Sequence, residues 1–540
     1  MFPTTPLNLW SAIPIWEQLW LFSPMIALVV TMLAIVACPL FIGRNTRVTM
    51  AVASIGVLAA FLLTWQVAQR VATGGVSGLS PGNTTGILIA DNLSAWFQIL
   101  LMTFLGGVML LWWLGSASEE RNAPEFLILL LGSAVGMILM TSTTNLLMII
   151  VAIETASLPS YAIVGFDKRD RFAAEASLKY MIFGAISAAI MLYGASLLYG
   201  LVGSLGAADI ARYTIDHIAD PQNRLILGLG MLCFLAGIAF KISAVPFHFW
   251  CPDAFEGAKI EVTMWLSVAS KAAGLLLLTR LVLTFCNAVS QPAEMALLSP
   301  LAWTIGIMAA ITCTVGNFSA YKQQSVKRLL AYSSIAHAGY MLMAAAVFIH
   351  PSASDSRSAL SALLAYVLIY LFMNLGAFSV AAMVIWETGS DKIDSFTGLF
   401  RRAPWLAVPM VFCLVSLIGV PPFAGFIGKW WVLVALGNLS TPLGWILVIV
   451  AVVNTLISVY YYMRLIVQMA FKDDASRPPL SVSIPGTGLV YISAIALLVL
   501  FVWANPLKKT TDRFSENLYR PTPSAQQVTG SVASFDAGNR

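Results

Sequence analysis

The sequence predicts an all-α protein that crosses a lipid bilayer about fourteen times. Its 540 residues are 59% apolar and only 10% charged, against about 45–50% and about 25% in soluble domains. A spanning helix needs about 20 apolar residues, and fourteen such runs lie between polar segments. Proline-containing breaks interrupt two of the runs, which is typical of helices that line a transport path.

The runs follow one another with short polar connections. They cover residues 20-42, 48-68, 95-115, 125-142, 144-166, 177-202, 225-248, 260-285, 301-318, 326-349, 359-386, 405-437, 442-470 and 488-504. The first run follows a leader without Lys or Arg, so we predict a retained helix and not a cleaved signal peptide. Trp10, Trp16 and Trp20 would anchor this helix at the membrane interface.

Positively charged residues are shared unequally between alternate loops. Fourteen lie in one set of loops, namely Arg44, Arg47, Arg121, Lys168, Arg169, Arg171, Lys322, Lys327, Arg328, Lys392, Arg401, Arg402, Lys472 and Arg477. Four lie in the opposite loops, namely Arg70, Arg212, Arg224 and Arg357. The positive-inside rule assigns the first set to the cytoplasm, so both termini are predicted to face outward.

The chain shows no motif for redox or nucleotide chemistry. Its six cysteines are dispersed without a CxxC pair, so no disulfide framework, iron–sulfur cluster or zinc site is indicated. The four histidines lack the spacing of a haem site, and no GxGxxG or P-loop motif occurs. A net charge of +5, scattered along the chain, does not indicate nucleic-acid binding. We therefore expect this chain to bind no cofactor, metal or nucleic acid.

Ionisable residues inside the apolar runs are the candidate functional residues. A charge at mid-bilayer costs about 2.5–3.5 kcal/mol on the insertion scale. Five such residues lie deep inside runs, namely Glu154, Lys241, Lys271, His337 and Lys429. Lys179 lies near the start of its run and could extend to the interface. A structural ion pair would explain any one of them, but a series in successive helices favours a relay of protonatable groups.

Two of these lysines lie beside the helix breaks. The segment SAVPF (243–247) follows Lys241, and GVPPF (419–423) precedes Lys429. Proline removes a helical hydrogen bond, and lipid tolerates the freed carbonyls only inside protein or along a wet cavity. The breaks lie about 175 residues apart, and Glu154 and His337 lie 183 apart. This near-constant offset predicts two inverted five-helix repeats.

The repeats divide the chain into five predicted parts. Residues 1-124 hold helices 1–3, residues 125-285 the first repeat (helices 4–8) and residues 301-470 the second repeat (helices 9–13). Residues 471-506 hold a loop and the last helix. Residues 507-540 are rich in Ser, Thr, Gln, Asn and Gly, which predicts a mobile polar tail on the outer side.

Six motifs between residues 125 and 470 resemble one family, the antiporter-like proton-translocating subunits of respiratory complex I. The motifs are AIETASLP (152–159), EASLKY (175–180), FKISAVPFHFW (240–250), SVASK (267–271), KRLLAYSSIAHAGY (327–340) and GFIGK (425–429). The resemblance is strongest to the N-type subunits, counterparts of mitochondrial NADH dehydrogenase subunit 2. Lys429 favours this type because the M-type carries glutamate there. We expect no long lateral helix of the kind that follows the core in the L-type.

The resemblance implies a fold of fourteen helices with two inverted five-helix repeats and discontinuous helices 7 and 12. It also implies a proton relay that comprises Glu154, Lys241, Lys271, His337, Lys429 and Lys179. In that family the glutamate pairs with the lysine of helix 7, and the lysine of helix 8 connects them to the second repeat. The histidine relays protons to the lysine of helix 12 near the exit.

A further implication concerns the whole complex. The chain would conduct protons while partner subunits, which hold NADH, FMN, iron–sulfur clusters and quinone, transfer electrons from NADH to quinone. Its partners would be other membrane-arm subunits, including paralogous antiporter-like subunits, in a bacterial plasma membrane. Relatives of the same fold leave an alternative, a subunit of an Mrp-type sodium/proton antiporter or of a membrane-bound hydrogenase.

One stretch departs from the family pattern. Many relatives read Ala-Pro-x-Pro-Val after the Glu-Gly pair, whereas this chain carries AKIEV (258–262). Lys259 and Glu261 could form a salt bridge at a helix start, where the carboxylate suits the helix dipole. Alternatively, Glu261 could extend the proton uptake path toward Lys271.

Overall fold

The structure, a computed structural model, confirms the all-α membrane fold. It describes residues 19–41, 43–72, 87–115, 122–218, 220–289, 292–349, 353–472, 479–480, 484–516 and 518. Within these ranges, thirteen helices are long and apolar enough to span a membrane. A fourteenth crossing is divided into two shorter helices, as the break in the twelfth run predicts.

The helices follow the predicted runs closely. In chain order they are α1 (Ser23–Phe41), α2 (Thr46–Ala72), α3 (Asn92–Gly115), α4 (Ala123–Thr141), α5 (Leu146–Val164), α6 (Arg171–Val202), α7a (Pro221–Ile242), α7b (Trp250–Gly257), α8 (Ile260–Ala288), α9 (Ser299–Ala320), α10 (Val326–Val347), α11 (Ala353–Thr388), α12a (Pro404–Ile418), α12b (Ala424–Asn438), α13 (Pro442–Ala470) and α14 (Ile484–Val502).

Single polar residues begin several of these helices. The Asn145 side chain accepts hydrogen bonds from the backbone N–H groups of Leu147 and Met148 at the start of α5. Asp170 caps α6 in the same way, and Ser325 caps α10. Such side chains satisfy backbone donors that have no partner within the helix. Helix starts are thus encoded locally, even in a mostly apolar sequence.

The centre of the bundle is formed by α8, α10 and α11. Every residue in the most apolar stretch of α8 is buried. Most residues in the corresponding stretches of α10 and α11 are buried too. By contrast, at most about one third of the residues in the apolar parts of α1, α2, α6 and α13 are buried within the chain. Lys271 on α8 and His337 on α10 are therefore far from the lipid-facing surface of the chain.

The helix α8 contains one π-helical turn, Leu266–Ser270, between two α-helical parts. A π turn widens the helix by one residue. In this turn the Ser267 carbonyl accepts a hydrogen bond from the Tyr370 hydroxyl of α11 at 3.4 Å. The apolar periodicity of the run does not predict this turn.

A buried ion pair ties α8 to the start of α3. Arg280 donates from both terminal nitrogens to the Asp91 carboxylate, at 2.8 and 2.7 Å. Its Nε donates to the Thr141 carbonyl at the end of α4 at 2.8 Å. Such two-point pairing with satisfied donors is the geometry in which a buried charge is tolerated. The start of α3 is thereby fixed to α8 and to the end of α4.

Both predicted helix breaks are present. In the first, α7a ends at Ile242, Ser243 adopts a left-handed conformation (φ 64°), and α7b begins at Trp250. In the second, α12a ends at Ile418, Gly419 is left-handed (φ 87°), and α12b begins at Ala424. The division into repeats 125-285 and 301-470 stays a prediction.

Two short amphipathic helices correct the sequence analysis. The helix Ala207–His217 lies between α6 and α7a, where the sequence predicts only a loop. The helix Ala504–Glu516 occupies the beginning of the predicted mobile tail. Its Thr511 is buried and shares a 2.7 Å hydrogen bond with Ser361 of α11, so the prediction of a mobile tail is wrong for residues 507–516. Residues 519–540 lie outside the described residues.

Candidate functional site

The first element of the site is Lys241, the penultimate residue of α7a. Its side chain is fully buried, and Nζ donates to Ser157 Oγ of α5 at 3.1 Å. Glu154 lies one turn earlier on α5 and is half-buried. Within the described residues Glu154 forms no ion pair with Lys241, although the two charges are close enough to act on each other. The direct contact of Lys241 is with a hydroxyl.

Lys271 is the second element and lies directly after the π turn of α8. It is fully buried, and its Nζ donates to Ser334 Oγ of α10 and, at 3.4 Å, to Cys251 Sγ of α7b. The Phe255 ring lies 5.1 Å from the ammonium, within the range of a cation–π interaction. Lys271 thus joins the first break to α10.

His337 is the third element and lies one turn after Ser334 on α10. It is 2% exposed. Its Nδ1 is hydrogen-bonded to the Tyr366 hydroxyl of α11 at 2.9 Å, and its Nε2 faces the Tyr462 hydroxyl of α13 at 3.4 Å. Both ring nitrogens therefore face hydroxyl groups.

Lys429, in the second turn of α12b, is the fourth element. It is 6% exposed, and its Nζ donates to the carbonyls of Leu417 and Ile418, at 3.1 and 2.8 Å. These carbonyls belong to the last turn of α12a and are freed by the break. The Tyr340 ring of α10 lies 4.5 Å from the ammonium. The lysine of α12b thus binds the broken end of α12a.

Lys179 lies apart from this series. Its Nζ forms ion pairs with Glu175 at 2.8 Å and with Asp253 of α7b at 3.0 Å, and its side chain is 42% exposed. Asp253 also pairs with Arg328 of α10 at 2.9 Å. These groups line a cleft of about 550 Å³ at the end of the bundle where α6 and α10 begin.

The structure also shows the surroundings of the segment AKIEV (258–262), which departs from the family pattern at the start of α8. Glu261 is buried in the first turn of α8, and the Lys259 ammonium lies 5.9 Å from the Phe166 ring. Nearby, Lys327 of α10 donates to the Ala258 carbonyl at 3.1 Å. Both interpretations of Glu261, a structural carboxylate and a group on the proton uptake path, remain predictions.

Sequence reasoning missed the hydroxyl groups that contact the candidate residues. They are Ser157, Ser334, Tyr366 and Tyr462. A weak signal existed, since Ser157 and Ser334 lie inside the motifs that contain Glu154 and His337. However, a hydroxyl in an apolar helix often bonds its own backbone, and here both serines also donate to a backbone carbonyl of their own helix.

Comparison with known proteins identifies the family. The model of the NADH:quinone oxidoreductase/Mrp antiporter transmembrane family matches residues 143–497. The chain belongs to this family. All six candidate residues lie inside the part of the chain that matches the NADH:quinone oxidoreductase/Mrp antiporter family.

Individual relatives within the family extend the match to most of the chain. NADH-quinone oxidoreductase subunit N of Anaeromyxobacter sp. (strain Fw109-5) is 35% identical over 519 residues, which cover 92% of this chain and 96% of the relative. NAD(P)H-quinone oxidoreductase subunit 2 of Synechococcus elongatus is 35% identical over 496 residues and covers 89% of this chain and 88% of the relative.

Solved structures show the same fold. A chain of respiratory complex I from Thermus thermophilus matches with a TM-score of 0.70 and 27% identity, covering 90% of this chain and 98% of that one. A chain of the Mrp complex from Dietzia sp. matches with a TM-score of 0.78 and 19% identity, covering 93% and 98%. The second likeness shows the fold alone.

The described residues contain no group of three or more His, Cys, Asp or Glu side chains that could hold a metal ion. What the site does contain is a series of amines, one imidazole and several hydroxyls, almost all buried. Such groups accept and release protons, or pass them on when hydrogen-bonded in a row. The chemistry that the arrangement supports is proton transfer across the centre of the bundle.

Proposed function

We propose that this chain is the N-type membrane-arm subunit of a bacterial NADH-quinone oxidoreductase, complex I, and conducts protons across the plasma membrane. The observation that carries this proposal is the buried series Lys241, Lys271, His337 and Lys429. A merely structural helix bundle would avoid so many ionisable groups in its centre. The identity of about one third with subunit N relatives over nearly the whole chain supports the same function.

The first step is controlled by the charge of Glu154. Burial disfavours charged lysine and charged carboxylate alike, so Glu154 and Lys241 stabilise each other's charge when they are close. Movement of Glu154 away from Lys241 weakens the hold of Lys241 on its proton. The proton then moves toward Lys271.

The later steps carry the proton into the second half of the chain. Lys271 contacts α10, which also carries His337, and His337 lies near the Leu417 carbonyl that holds Lys429. A proton therefore passes from Lys271 through His337 to Lys429, and is released on the outer side. Lys179, in the ion-paired cleft where α6 begins, serves proton uptake from the cytoplasm.

Partner subunits supply the energy. Electron transfer from NADH to quinone takes place there, with FMN and iron–sulfur clusters, while this chain provides the ion path. Other membrane-arm subunits, including paralogous antiporter-like subunits, cover exposed apolar faces such as that of α5, where Leu158 is 61% exposed. Both termini face outward, since the basic loops lie on the cytoplasmic side.

A subunit of an Mrp-type antiporter or of a membrane-bound hydrogenase is the alternative. The cofactors of the purified native complex decide between these functions. Flavin and iron–sulfur signals that NADH reduces support complex I. Nickel in the complex would instead indicate a hydrogenase, and neither signal would indicate an exchanger.

The relay is tested by NADH-driven proton uptake in inverted membrane vesicles that hold the assembled complex. Lys241→Ala and Glu154→Gln should each lower uptake at least about tenfold, the size expected for loss of a positioned proton-transfer group. Lys509→Ala, at an exposed lysine outside the series, is the control and should leave uptake unchanged. Full uptake at a normal electron-transfer rate in Lys241→Ala would overturn the relay.

A further inference from the structure

The contacts of His337 point to two tyrosines that the series of lysines does not include. Tyr366 and Tyr462 are fully buried, and their hydroxyls face the two nitrogens of the His337 ring, Nδ1 at 2.9 Å and Nε2 at 3.4 Å. Neither Lys271 nor Lys429 is hydrogen-bonded to the ring within the described residues. A proton that reaches His337 through these contacts must therefore pass a tyrosine hydroxyl.

The two tyrosines lie on different sides of the imidazole. Tyr462 shares a hydrogen bond with Ser333, and the next residue, Ser334, accepts from Lys271 Nζ. The Tyr366 ring lies against Gly428, where an added Cβ would meet Tyr366 Cδ2 at 3.0 Å. Gly428 directly precedes Lys429. Tyr462 thus contacts the serine next to the one that holds Lys271, and the Tyr366 ring packs against the residue before Lys429.

The chemistry of the groups favours hydroxyls as carriers. A neutral imidazole has one N–H donor and one acceptor nitrogen, and a phenol both donates and accepts. The group that His337 and Lys429 share directly is the Leu417 carbonyl, which accepts hydrogen bonds but cannot hand a proton on. The Tyr366 phenol, which is hydrogen-bonded to the imidazole, can hand a proton on.

We propose that Tyr462 and Tyr366 are the immediate proton donor and acceptor of His337. The Tyr462 hydroxyl gives its proton to Nε2 and takes a replacement from the Ser333 side. Nδ1–H then gives its proton to the Tyr366 oxygen, which releases its own proton toward Lys429. One proton enters and one leaves, both phenols end neutral, and the imidazole ends in the opposite tautomer. Rotation of the hydroxyls and a flip of the imidazole ring about its Cβ–Cγ bond then present an acceptor nitrogen to Tyr462 and an N–H to Tyr366 again, so no proton travels back.

This inference rests on the proposed function, and its test separates the two. Tyr462→Phe and Tyr366→Phe keep the rings and remove only the hydroxyls. The control is Tyr180→Phe, because Tyr180 is also fully buried but stacks on Trp250, and its hydroxyl has no hydrogen bond to His337, Tyr366 or Tyr462 within the described residues. All variants are compared in the assembled complex, in the same vesicles, with NADH-driven proton uptake normalised to the amount of complex.

We expect each of the two Phe variants to lower proton uptake about tenfold, since a positioned proton-transfer group contributes at least that much. The remaining uptake should also show a larger slowing in D₂O than the wild type, a change that loss of packing alone would not cause. Tyr180→Phe should keep wild-type uptake and wild-type isotope sensitivity.

Other results have distinct meanings. Wild-type uptake in Tyr462→Phe and Tyr366→Phe, combined with loss in Lys241→Ala, overturns this inference and leaves the relay of lysines standing. Equal loss in Tyr180→Phe also overturns it, because the effect then does not depend on contact with His337. Wild-type uptake in Lys241→Ala overturns the proposed function itself.

Discussion

The two broken helices hold their lysines in opposite ways. In the first break, Lys241 lies before the interruption and reaches out to Ser157 of α5. The carbonyl of Phe240 beside it accepts from Trp250 Nε1 at 3.0 Å. In the second break, Lys429 lies after the interruption and itself binds two carbonyls of the broken end.

The difference shows that a lysine beside a helix break can either contact a neighbouring helix or bind the broken end itself. An indole caps the first broken end, so Lys241 is available to interact with a neighbouring helix. Lys429 of α12b itself caps the broken end of α12a, where an ammonium suits the negative end of the helix dipole. Changes at the second break should therefore disturb the lysine directly, whereas changes at the first should act through the neighbours.

The largest effect is expected for Gly419→Ala. A non-glycine residue in the left-handed conformation costs about 1–2 kcal/mol, and here the new Cβ would also meet Lys429 Cδ at 2.8 Å. Proton uptake by vesicles holding the complex should fall at least about tenfold.

Gly389→Ala is the matched control for this change. Gly389 is also left-handed (φ 66°), but an added Cβ there has open space. The strain is therefore similar while Lys429 is untouched, and uptake should stay near the wild-type value. Equal losses in both variants would show that strain alone, and not contact with Lys429, sets the result.

A smaller effect is expected for Trp250→Phe at the first break. The Phe240 carbonyl loses its indole donor but keeps the Ser243 backbone N–H at 3.0 Å, so the loss is that of one hydrogen bond, about 0.5–1.5 kcal/mol. The stack on Tyr180, with ring centroids 4.1 Å apart, can persist. The thermal midpoint of the purified complex should fall, and proton uptake should fall with it.

Trp265→Phe provides the comparison, because Trp265 Nε1 donates to Ser133 Oγ at 2.8 Å, away from either break. It should lower the thermal midpoint by a similar amount without a specific loss of uptake. If Trp250→Phe keeps full uptake per assembled complex, capping of the first broken end does not matter for proton transfer.

The smallest effect is expected for Ser157→Ala. Removal of this hydroxyl takes away one acceptor of Lys241, worth about 1.5–3 kcal/mol for a hydrogen bond to a charged group, but Glu154 still acts on the lysine. Proton uptake should slow severalfold and not stop. Ser160→Ala removes a buried hydroxyl that donates only to its own helix, to the Ala156 carbonyl, and should have no such effect. Similar slowing in both variants would contradict a specific contact between Ser157 and Lys241.

The sequence predicted the number and the extent of the spanning helices well, because a long apolar run has few alternatives in lipid. Proline and glycine also marked both breaks correctly. The amphipathic helices Ala207–His217 and Ala504–Glu516 were missed because their polar composition is similar to that of a loop. The π turn at 266–270 has no compositional signal of its own.

The site was predicted only in part, for a physical reason. Ionisable residues stand out in an apolar run because each is costly there, so Lys241, Lys271 and Lys429 were found directly. Ser334, which contacts Lys271, and Tyr462, which contacts His337, are neutral, so they do not stand out in a membrane helix. Only the packing of α10 against α8 and α13 shows which hydroxyls face the lysines and the histidine.

The π turn of α8 is the one part of this helix that can take up a change of one residue. A π turn contains one residue more than an α turn, so loss of a residue within 266–270 leaves the two flanking parts in the same relative rotation. Between Lys271 and Arg280 the helix is regular, and each residue turns it by about 100°. An insertion or deletion of a single residue there would uncouple the contact of Lys271 with Ser334 from that of Arg280 with Asp91, now at 2.7 Å.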